Sequence, residues 1–366
     1  GGHHAGLEKN DKDSSGRLTI RDDLRNDGTA KTDEEKKAEE DAVAAGETTG
    51  DAVEDVGSLT ATGGNSDSGG AGIGGGAEGY YDTKDTSSIV INGGKITATG
   101  GKGATGIGGG YWGDGGKVNK NDPDDRSQTI TINGGNVTAH GGINRYENQP
   151  QYAIPGNGIG PLEGGSITIN GGTVKASSEG DGFGIGGAGV HHTAEMHITI
   201  NGGNIETTAN RNNAAIGDKS KQKSSVTITD GVIHAVGKGS AAGIGSTGDI
   251  RITGGEITVS AEGGGAAIGS IGGVDCKSIT INGNAIKSIS SKDGACIGGA
   301  AGGSVGSITI SDAELPLLSS NKILIGWDAD SPGGKLTIRN CHVESTDIPT
   351  TRTDGIRVGS NSEIVI

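Results

Sequence analysis

A three-part sequence unit recurs along most of the chain, and no other feature limits the possible folds as strongly. The first part reads SIVINGG at 88–94 and TITINGG at 129–135, the second reads KITATGG at 95–101, and the third is the dipeptide Ile-Gly. The isoleucines of that dipeptide are Ile73, Ile107, Ile159, Ile185, Ile216, Ile244, Ile268, Ile297 and Ile325, and Val358 takes their place in the last copy. Self-similarity at such a short period is typical of solenoid proteins, whose repeats stack on one another.

The first two parts of the unit alternate apolar and polar residues, which is the pattern of a short β-strand with one buried face. The shortest step between copies, from Val226 to Ile250, is 24 residues. Three strands in a unit of this length predict an all-β protein, a right-handed parallel β-helix with three strands per turn and about ten turns.

Glycine and asparagine have defined roles in this prediction. The NGG after each first strand forms a turn, because both residue types tolerate a positive φ. The asparagines of these turns are predicted to stack as a ladder of amide hydrogen bonds: Asn92, Asn133, Asn170, Asn201 and Asn282. Ile and Val are expected to stack inside, which suits a chain with 75 glycines and one phenylalanine.

Residues 1–56 depart from the repeat and are predicted to form a distinct N-terminal segment, followed by the β-helix at 57–366. Within this segment a helix is predicted over 32–47, because Thr32 and Glu35 form a capping box and a glycine closes the stretch. We expect this helix to be an insertion or an end cap.

Two incompatible interpretations apply to residues 11–23. RLTI at 17–20 matches the first strand of the repeat and would supply an additional one. DKDSSGRLTIRD at 11–22 resembles an EF-hand or dockerin loop, although it ends in Asp where the usual loop has Glu. The candidate calcium ligands of that loop are Asp11, Asp13, Ser15 and Asp22.

The overall composition argues against several classes of partner. The net charge is −15, whereas binding to nucleic acid depends on concentrated cations. No apolar run approaches the length of a membrane span. Cys276, Cys296 and Cys341 follow neither a disulfide framework nor a metal-ligand spacing, so we expect them to be buried or half-buried small residues.

The connections that follow Ile-Gly are long early in the chain, inside 77–196, and short later. Insertions on one face of a solenoid often mark its binding surface. Two aromatic pairs, Tyr80-Tyr81 and Tyr111-Trp112, lie in equivalent loops and are expected to line one edge, where their rings can stack on sugars. The candidate ligand-binding residues are Tyr80, Tyr81, Tyr111, Trp112, Glu163, His191 and His192. The alternative is that the rings cover the glycine-rich wall.

Acidic residues crowd the same loops and suggest two further kinds of site. Hydrolysis of a glycoside uses two carboxyl groups at a set separation, and the candidates for catalysis are Asp114, Asp124 and Arg126. NKNDPDD at 119–125 suits calcium, through Asp122, Asp124 and Asp125. The alternative is a solvated acidic loop with neither role.

The outward positions of the first strands form columns with the pattern Ser/Thr-x-Thr. The pairs are Thr129/Thr131, Ser166/Thr168, Ser225/Thr227, Ser278/Thr280 and Ser307/Thr309. Flat hydroxyl arrays of this type resemble those of ice-binding solenoids, but His197, Asp249, Arg251 and Lys335 interrupt the array. The alternative is that Ser and Thr simply suit exposed strands.

The pattern ITINGG-x-[IV]-TATGG…GIGGG, over about residues 57–366, resembles the glycine-rich β-helical repeats of large surface proteins of Gram-positive bacteria. Such proteins are described as adhesin-like or carbohydrate-binding. The resemblance implies a secreted or cell-surface location, further domains in the same chain and a polysaccharide or glycoprotein glycan as partner. The fold is also similar to that of pectate lyases and β-helical glycosidases, but their catalytic Arg or Lys and their calcium-binding Asp clusters find no match here.

These observations together predict a β-solenoid that binds a glycan through the aromatic and acidic loops of its N-terminal half. Binding without catalysis is the leading expectation, with calcium as the one cofactor considered. A polysaccharide lyase or glycoside hydrolase acting in the same groove is the first alternative. A structural adhesin stalk, whose loops bind nothing specific, is the second.

Overall fold

The fold is seen in a computed structural model of the chain. The structure describes residues 6–8, 17–20, 32, 34, 57–65, 69–75, 88–110, 128–144, 154–161, 164–187, 195–219, 224–327, 333–345, 354–357 and 363–365.

The described strands form three parallel sheets, here called the first, second and third walls after the three parts of the unit. The first wall contains Arg17–Ile20, Ser88–Ile91, Gln128–Ile132, Gly165–Ile169, Met196–Ile200, Ser225–Ile228, Asp249–Ile252, Cys276–Asn282, Val305–Ser311, Lys335–Arg339 and Glu363–Val365. The second wall contains Ser58–Thr62, Lys95–Thr99, Asn136–Gly141, Thr173–Ser178, Asn204–Ala209, Val232–Gly237, Glu256–Ala261, Ile286–Ser291, Glu314–Ser320 and His342–Ser345. The third wall contains Leu7–Glu8, Ile73–Gly74, Ile107–Gly108, Ile159–Gly160, Ile185–Gly187, Ala214–Asp218, Ala242–Gly245, Ile268–Gly269, Ala295–Gly298, Ile323–Gly326 and Asp354–Arg357. A small antiparallel pair, Ile143–Asn144 with Ile154–Pro155, lies between the second and third walls of one turn. The predicted all-β parallel β-helix with three strands per turn is confirmed.

Equivalent residues of successive turns are vertical neighbours. In the third wall the isoleucine column runs in register from Ile107 through Ile185 to Ile244, and all three side chains are fully buried. The last member was predicted wrongly, because Ile325 pairs with Ile356 and not with Val358. Both residues are apolar and lie close together in the sequence, so the pattern alone does not separate them.

The N-terminal segment contributes two strands to the β-helix. Arg17–Ile20 pairs in register with Ser88–Ile91 in the first wall, and Leu7–Glu8 pairs with Ile73–Gly74 in the third. RLTI is therefore a first strand, which favours this interpretation over the calcium loop. The four candidate ligands of that loop lie outside the described residues, as does the predicted helix over 32–47 apart from Thr32 and Glu34.

The glycine after most third-wall isoleucines is required by both backbone conformation and space. Gly108 has a φ of 137° and Gly298 a φ of 143°, values that favour glycine. A methyl group on Gly298 would lie 1.9 Å from the carbonyl oxygen of Gly326 in the next turn. The Ile-Gly dipeptide thus pairs a buried side chain with a position where neighbouring backbones leave no room for one.

The turn between the first and second walls contains the predicted asparagine ladder. Nδ2 of Asn133 donates to Oδ1 of Asn92 at 2.8 Å, and Asn170 and Asn201 continue the series at 2.7 and 2.9 Å. The hydroxyl of Thr229 ends it by donating to Asn201. Asn282 is separate, because Thr229 and Thr253 occupy the intervening turns, and it donates instead to Ser311. The ladder therefore has four asparagines and not five.

The apolar core is continuous along the solenoid, and its side chains become larger toward the later turns. One inward column of the second wall carries Ala61, Ala98 and Ala139 in early turns and Ile289 and Leu318 in later ones. The third wall leaves room for these larger side chains by placing glycine opposite them. A methyl group on Gly243, for example, would lie 2.3 Å from Cγ2 of Val259. The early turns are therefore thin, and the later turns bury more apolar surface.

All three cysteines are free, as the sequence predicted. Cys276 and Cys296 are buried in the core, and Cys341 is half-buried. Burial raises the pKa of the Cys276 thiol and that of the Cys296 thiol to about 12 in each case. Both thiols therefore stay protonated at neutral pH and behave as small apolar residues.

The third-wall glycine column generates a stability prediction. We expect Gly298→Ala to lower the free energy of unfolding by about 1–3 kcal/mol through backbone strain alone, and the clash with Gly326 adds to that loss. Gly264→Ala is the matched control, because the nearest atom to its added methyl group, Ser240 Oγ, is 3.7 Å away. Urea denaturation followed by circular dichroism measures both, and equal losses would contradict the packing argument.

Candidate functional site

The corner between the third and first walls is where the long loops of the sequence emerge. Third-wall strands end there in register on successive turns, from Ile73–Gly74 through Ile107–Gly108 to Ile159–Gly160. The following first-wall strands also begin in register, because Ser88 pairs with Thr129 and Thr129 with Ser166. Neighbouring strands lie about 4.7–4.9 Å apart. Loops from consecutive turns are therefore anchored in one row along this corner.

The anchors of the two aromatic loops are in direct contact. The backbone N–H of Gly75 donates to the carbonyl oxygen of Gly108 at 2.9 Å. A methyl group on Gly75 would lie 3.3 Å from the nitrogen of Gly110, the residue before Tyr111. The loops that carry the two aromatic pairs thus start side by side.

Every candidate site residue named from the sequence lies outside the described residues. The aromatic and imidazole candidates are Tyr80, Tyr81, Tyr111, Trp112, His191 and His192. The charged candidates are Glu163, Asp114, Asp122, Asp124, Asp125 and Arg126, and the N-terminal calcium set is Asp11, Asp13, Ser15 and Asp22. Their roles remain predictions, and the structure contributes the positions from which their loops depart.

The same corner is closed by packed side chains in the later turns. Residues 246–248 alone connect two walls, and the Ser246 hydroxyl donates to the fully buried carboxylate of Asp218 at 3.0 Å. Three third-wall strands further along, the fully buried Trp327 donates its indole N–H to the carbonyl oxygen of Val305. In these later turns the connection at this corner is therefore short and packed, and the loop-bearing character of the N-terminal half stays a prediction.

A Ser-His-Glu contact lies at the start of two first-wall strands. His197 Nδ1 is 2.9 Å from Ser225 Oγ, and His197 Nε2 is 3.6 Å from Glu195 Oε2. Nucleophilic catalysis also needs donors for the developing oxyanion, but Ser225–Ile228 is paired with a strand on each side, which occupies its backbone N–H groups. His197 and Glu195 are also well exposed. This contact therefore resembles a surface hydrogen bond more than a hydrolytic centre.

The outer face of the first wall carries the predicted Ser/Thr columns in register. One column runs through Thr131, Thr168, Thr199 and Thr227, each half-buried between buried isoleucine or valine neighbours. Within the part of the chain that the structure describes, the hydroxyl groups of these four threonines have no hydrogen-bond partner. Arg251 follows them in the same column and interrupts it.

Charged residues interrupt the first-wall face at the turn that begins with Asp249. Its carboxylate accepts hydrogen bonds from Lys277 Nζ at 2.8 Å and from Ser278 Oγ at 2.6 Å. Partial burial acts to raise the pKa of Asp249, but the two hydrogen bonds and the charge of Lys277 outweigh it and hold that pKa below its usual value.

The outer face of the second wall differs in the turns beside the long loops. Lys175 Nζ lies 2.8 Å from Glu206 Oε2, and this hydrogen bond together with the lysine charge lowers the pKa of Glu206. His234 follows Glu206 in the same column. In these turns the fixed charges of the strand faces thus lie on the second wall, whereas the first wall presents hydroxyl groups.

Among the described residues, no group of three or more His, Cys, Asp or Glu side chains is placed to hold a metal ion. Within the same residues, no helix is both long and apolar enough to span a membrane.

The sequence comparison agrees with the fold. A family model described as Beta helix repeat matches residues 89–111, 130–161, 167–189, 198–218 and 226–249. Each matched stretch begins at a buried Ile or Val of a first-wall strand, so the family model detects the same unit that forms one turn. The chain is thus a parallel β-helix repeat protein by both structure and sequence. No curated protein and no solved structure matches it significantly.

Sequence reasoning missed three features of the corner. It did not single out Asp218, although a carboxylate within the small-residue stretch AAIGD is unusual for a third-wall strand. It recognised neither the Ser225–His197 contact nor the Asp249–Lys277 contact, because both join residues of different turns. Aligning the repeat copies column by column would have placed His197 opposite Ser225, and Asp249 opposite Ser278, the residue after Lys277.

The Asp249 contact generates a titration prediction. The folded-state pKa of Asp249 is lowered, so its ion pair stabilises the protein at neutral pH, and this contribution is lost as the pH falls through that pKa. Lys277→Met removes the nearest cation and is expected to raise the pKa of Asp249 and to weaken this pH dependence. NMR titration of the Asp249 side-chain carboxyl group measures the shift. Lys287→Met, an exposed lysine of the following strand, is the control, and an Asp249 pKa unchanged by Lys277→Met would refute the assignment.

Proposed function

We propose that this β-helix binds a glycan along the corner between its third and first walls, in the N-terminal half. The observation that supports this proposal best is the row of loop anchors, in which the connections carrying Tyr80-Tyr81 and Tyr111-Trp112 leave adjacent strands. Aromatic rings present apolar faces that suit the C–H face of a sugar. Two such pairs on neighbouring turns offer a stacking surface that extends along the solenoid axis.

The wider setting belongs to the same proposal. The resemblance to glycine-rich surface repeats supports a secreted or cell-surface protein of a bacterium, with further domains in the same chain. Its partner would be a polysaccharide or a glycoprotein glycan. The net charge of −15 disfavours a strongly acidic polymer, because like charges repel at close range.

Replacing the second aromatic pair tests this proposal directly. We expect Tyr111→Ala/Trp112→Ala to reduce glycan affinity by about thirtyfold or more, because buried aromatic anchors of an interface are typically worth 2 kcal/mol or more. Tyr146→Ala/Tyr152→Ala is the matched control, since these tyrosines belong to the insertion between the second and third walls, at another corner. A polysaccharide array identifies the ligand, calorimetry measures its affinity, and circular dichroism verifies the fold.

Each alternative function predicts a different result in the same assay. Release of oligosaccharides, lost in Asp114→Asn, Asp124→Asn or Arg126→Lys, would identify a polysaccharide lyase or glycoside hydrolase. A silent array would indicate a structural stalk. Retention of the glycan by Tyr111→Ala/Trp112→Ala would place binding elsewhere on the molecule.

Calcium is proposed for the loop that contains Asp122, Asp124 and Asp125, since clustered carboxylates supply the oxygen ligands that this ion takes. We expect calorimetry to detect calcium binding to the chelator-treated protein, and Asp124→Asn/Asp125→Asn to abolish it. Asp11→Asn/Asp13→Asn is the comparison and is expected to bind calcium normally. The first-wall strand Arg17–Ile20 lies within the alternative loop at 11–22 and argues against a calcium site there. Loss of binding in that second variant alone would assign the ion to the N-terminal loop instead.

A further inference from the structure

We infer that part of the first-wall face forms the hydrogen-bonding half of the glycan site and selects an uncharged polysaccharide. This face, here called the hydroxyl strip, consists of Thr129, Thr131, Ser166, Thr168, His197, Thr199, Ser225 and Thr227. The inference rests on the proposed function, because it assigns a ligand class to the same corner.

The strip is a regular two-column surface. Its rows are spaced by the strand separation of about 4.7–4.9 Å, and its columns by two residues, or roughly 6.6 Å. The register is unbroken from Thr131 through Thr168 and Thr199 to Thr227. An extended polysaccharide also repeats its hydroxyl groups regularly, so one ligand can engage several rows.

The two columns differ in how their polar groups are used. In the column nearest the loops, Ser166 donates to Thr129 and His197 bonds to Ser225, so neighbouring turns satisfy each other. In the other column the four threonine hydroxyl groups have no protein partner among the described residues. A hydroxyl group both donates and accepts, which matches the hydroxyl groups of a sugar.

The strip is bounded at both ends. Val90 occupies the threonine column one turn earlier and is only 6% exposed, so the face is covered there. Asp249 and Arg251 follow Ser225 and Thr227 and introduce opposite charges. Between these limits no strip residue is Asp, Glu, Lys or Arg, in a chain of net charge −15. An uncharged polymer is therefore the ligand class that the strip fits.

The strip is also continuous with the aromatic loops. Thr129 begins its outward column one residue after Gln128, where the connection containing Tyr111 and Trp112 returns to the first wall. The strip therefore begins where the chain re-enters the first wall after that connection, whereas the charged residues Lys175 and Glu206 lie on the second wall.

Paired valine substitutions test the inference with a control in the same column. Thr168→Val/Thr199→Val removes two hydroxyl groups and keeps β-branched side chains suited to strands. We expect its affinity for a neutral polysaccharide to fall about tenfold, because each net hydrogen bond contributes a few-fold to an equilibrium. Thr280→Val/Thr309→Val changes the same outward column in turns with short connections and is expected to bind normally. Outward valine is tolerated in this protein, since Val232 is 51% exposed.

The outcomes separate this inference from the proposed function. Normal binding by Thr168→Val/Thr199→Val, together with lost binding by Tyr111→Ala/Trp112→Ala, would overturn the strip and keep the glycan site. Equal losses in both valine pairs would also overturn it, because a site beside the loops does not include Thr280. Preference for a polyuronic acid over a neutral glucan or mannan would refute the ligand class. A wild-type protein that retains no polysaccharide would refute both proposals.

Discussion

The close approach of backbones in the third wall is the constraint on which the rest of the structure depends. Most Ile-Gly pairs place a buried side chain beside a glycine whose φ is positive and whose neighbour in the next turn leaves no room for a methyl group. Because this wall is so thin, the chain changes direction there within a few residues. The first and second walls can then stack regularly, and the asparagine ladder continues the same vertical pairing at another corner.

The two halves of the solenoid divide structural and functional roles. Early turns have alanine in the inward column of the second wall, whereas later turns have Val259, Ile289 and Leu318. The long connections belong to the early turns, and packed residues such as Trp327 close the corner in the later ones. The later turns thus gain more stability from hydrophobic burial. The early turns, which carry the long connections, stack on this better-packed part of the β-helix.

Most of the fold was predictable because one alignment of repeat copies determines every vertical contact. Spacing alone identified the Ile107–Ile185–Ile244 column, whereas the strand at Arg17–Ile20 was one of two interpretations that the sequence left open. Spacing failed to separate Ile356 from Val358, because both are apolar and lie two residues apart. It also missed that Thr229 replaces asparagine in the turn and ends the ladder before Asn282. The site residues were harder to place. Loop positions follow from neither periodicity nor strand pairing, so the sequence identifies the corner but not the geometry of its side chains.

A parallel β-helix has a further consequence for recognition, because each outward column repeats one chemical environment at every turn. A single substitution therefore changes one position of a long surface, whereas a change in two adjacent columns of the same turn alters a whole row. Asp249 and Arg251 do this in one turn, and the hydrogen bonds of Asp249 to Lys277 and Ser278 carry the change into the next. Charge is thereby confined to defined turns of the first wall. The uncharged face between Thr129 and Thr227 therefore follows from which residue each turn places in the two outward columns.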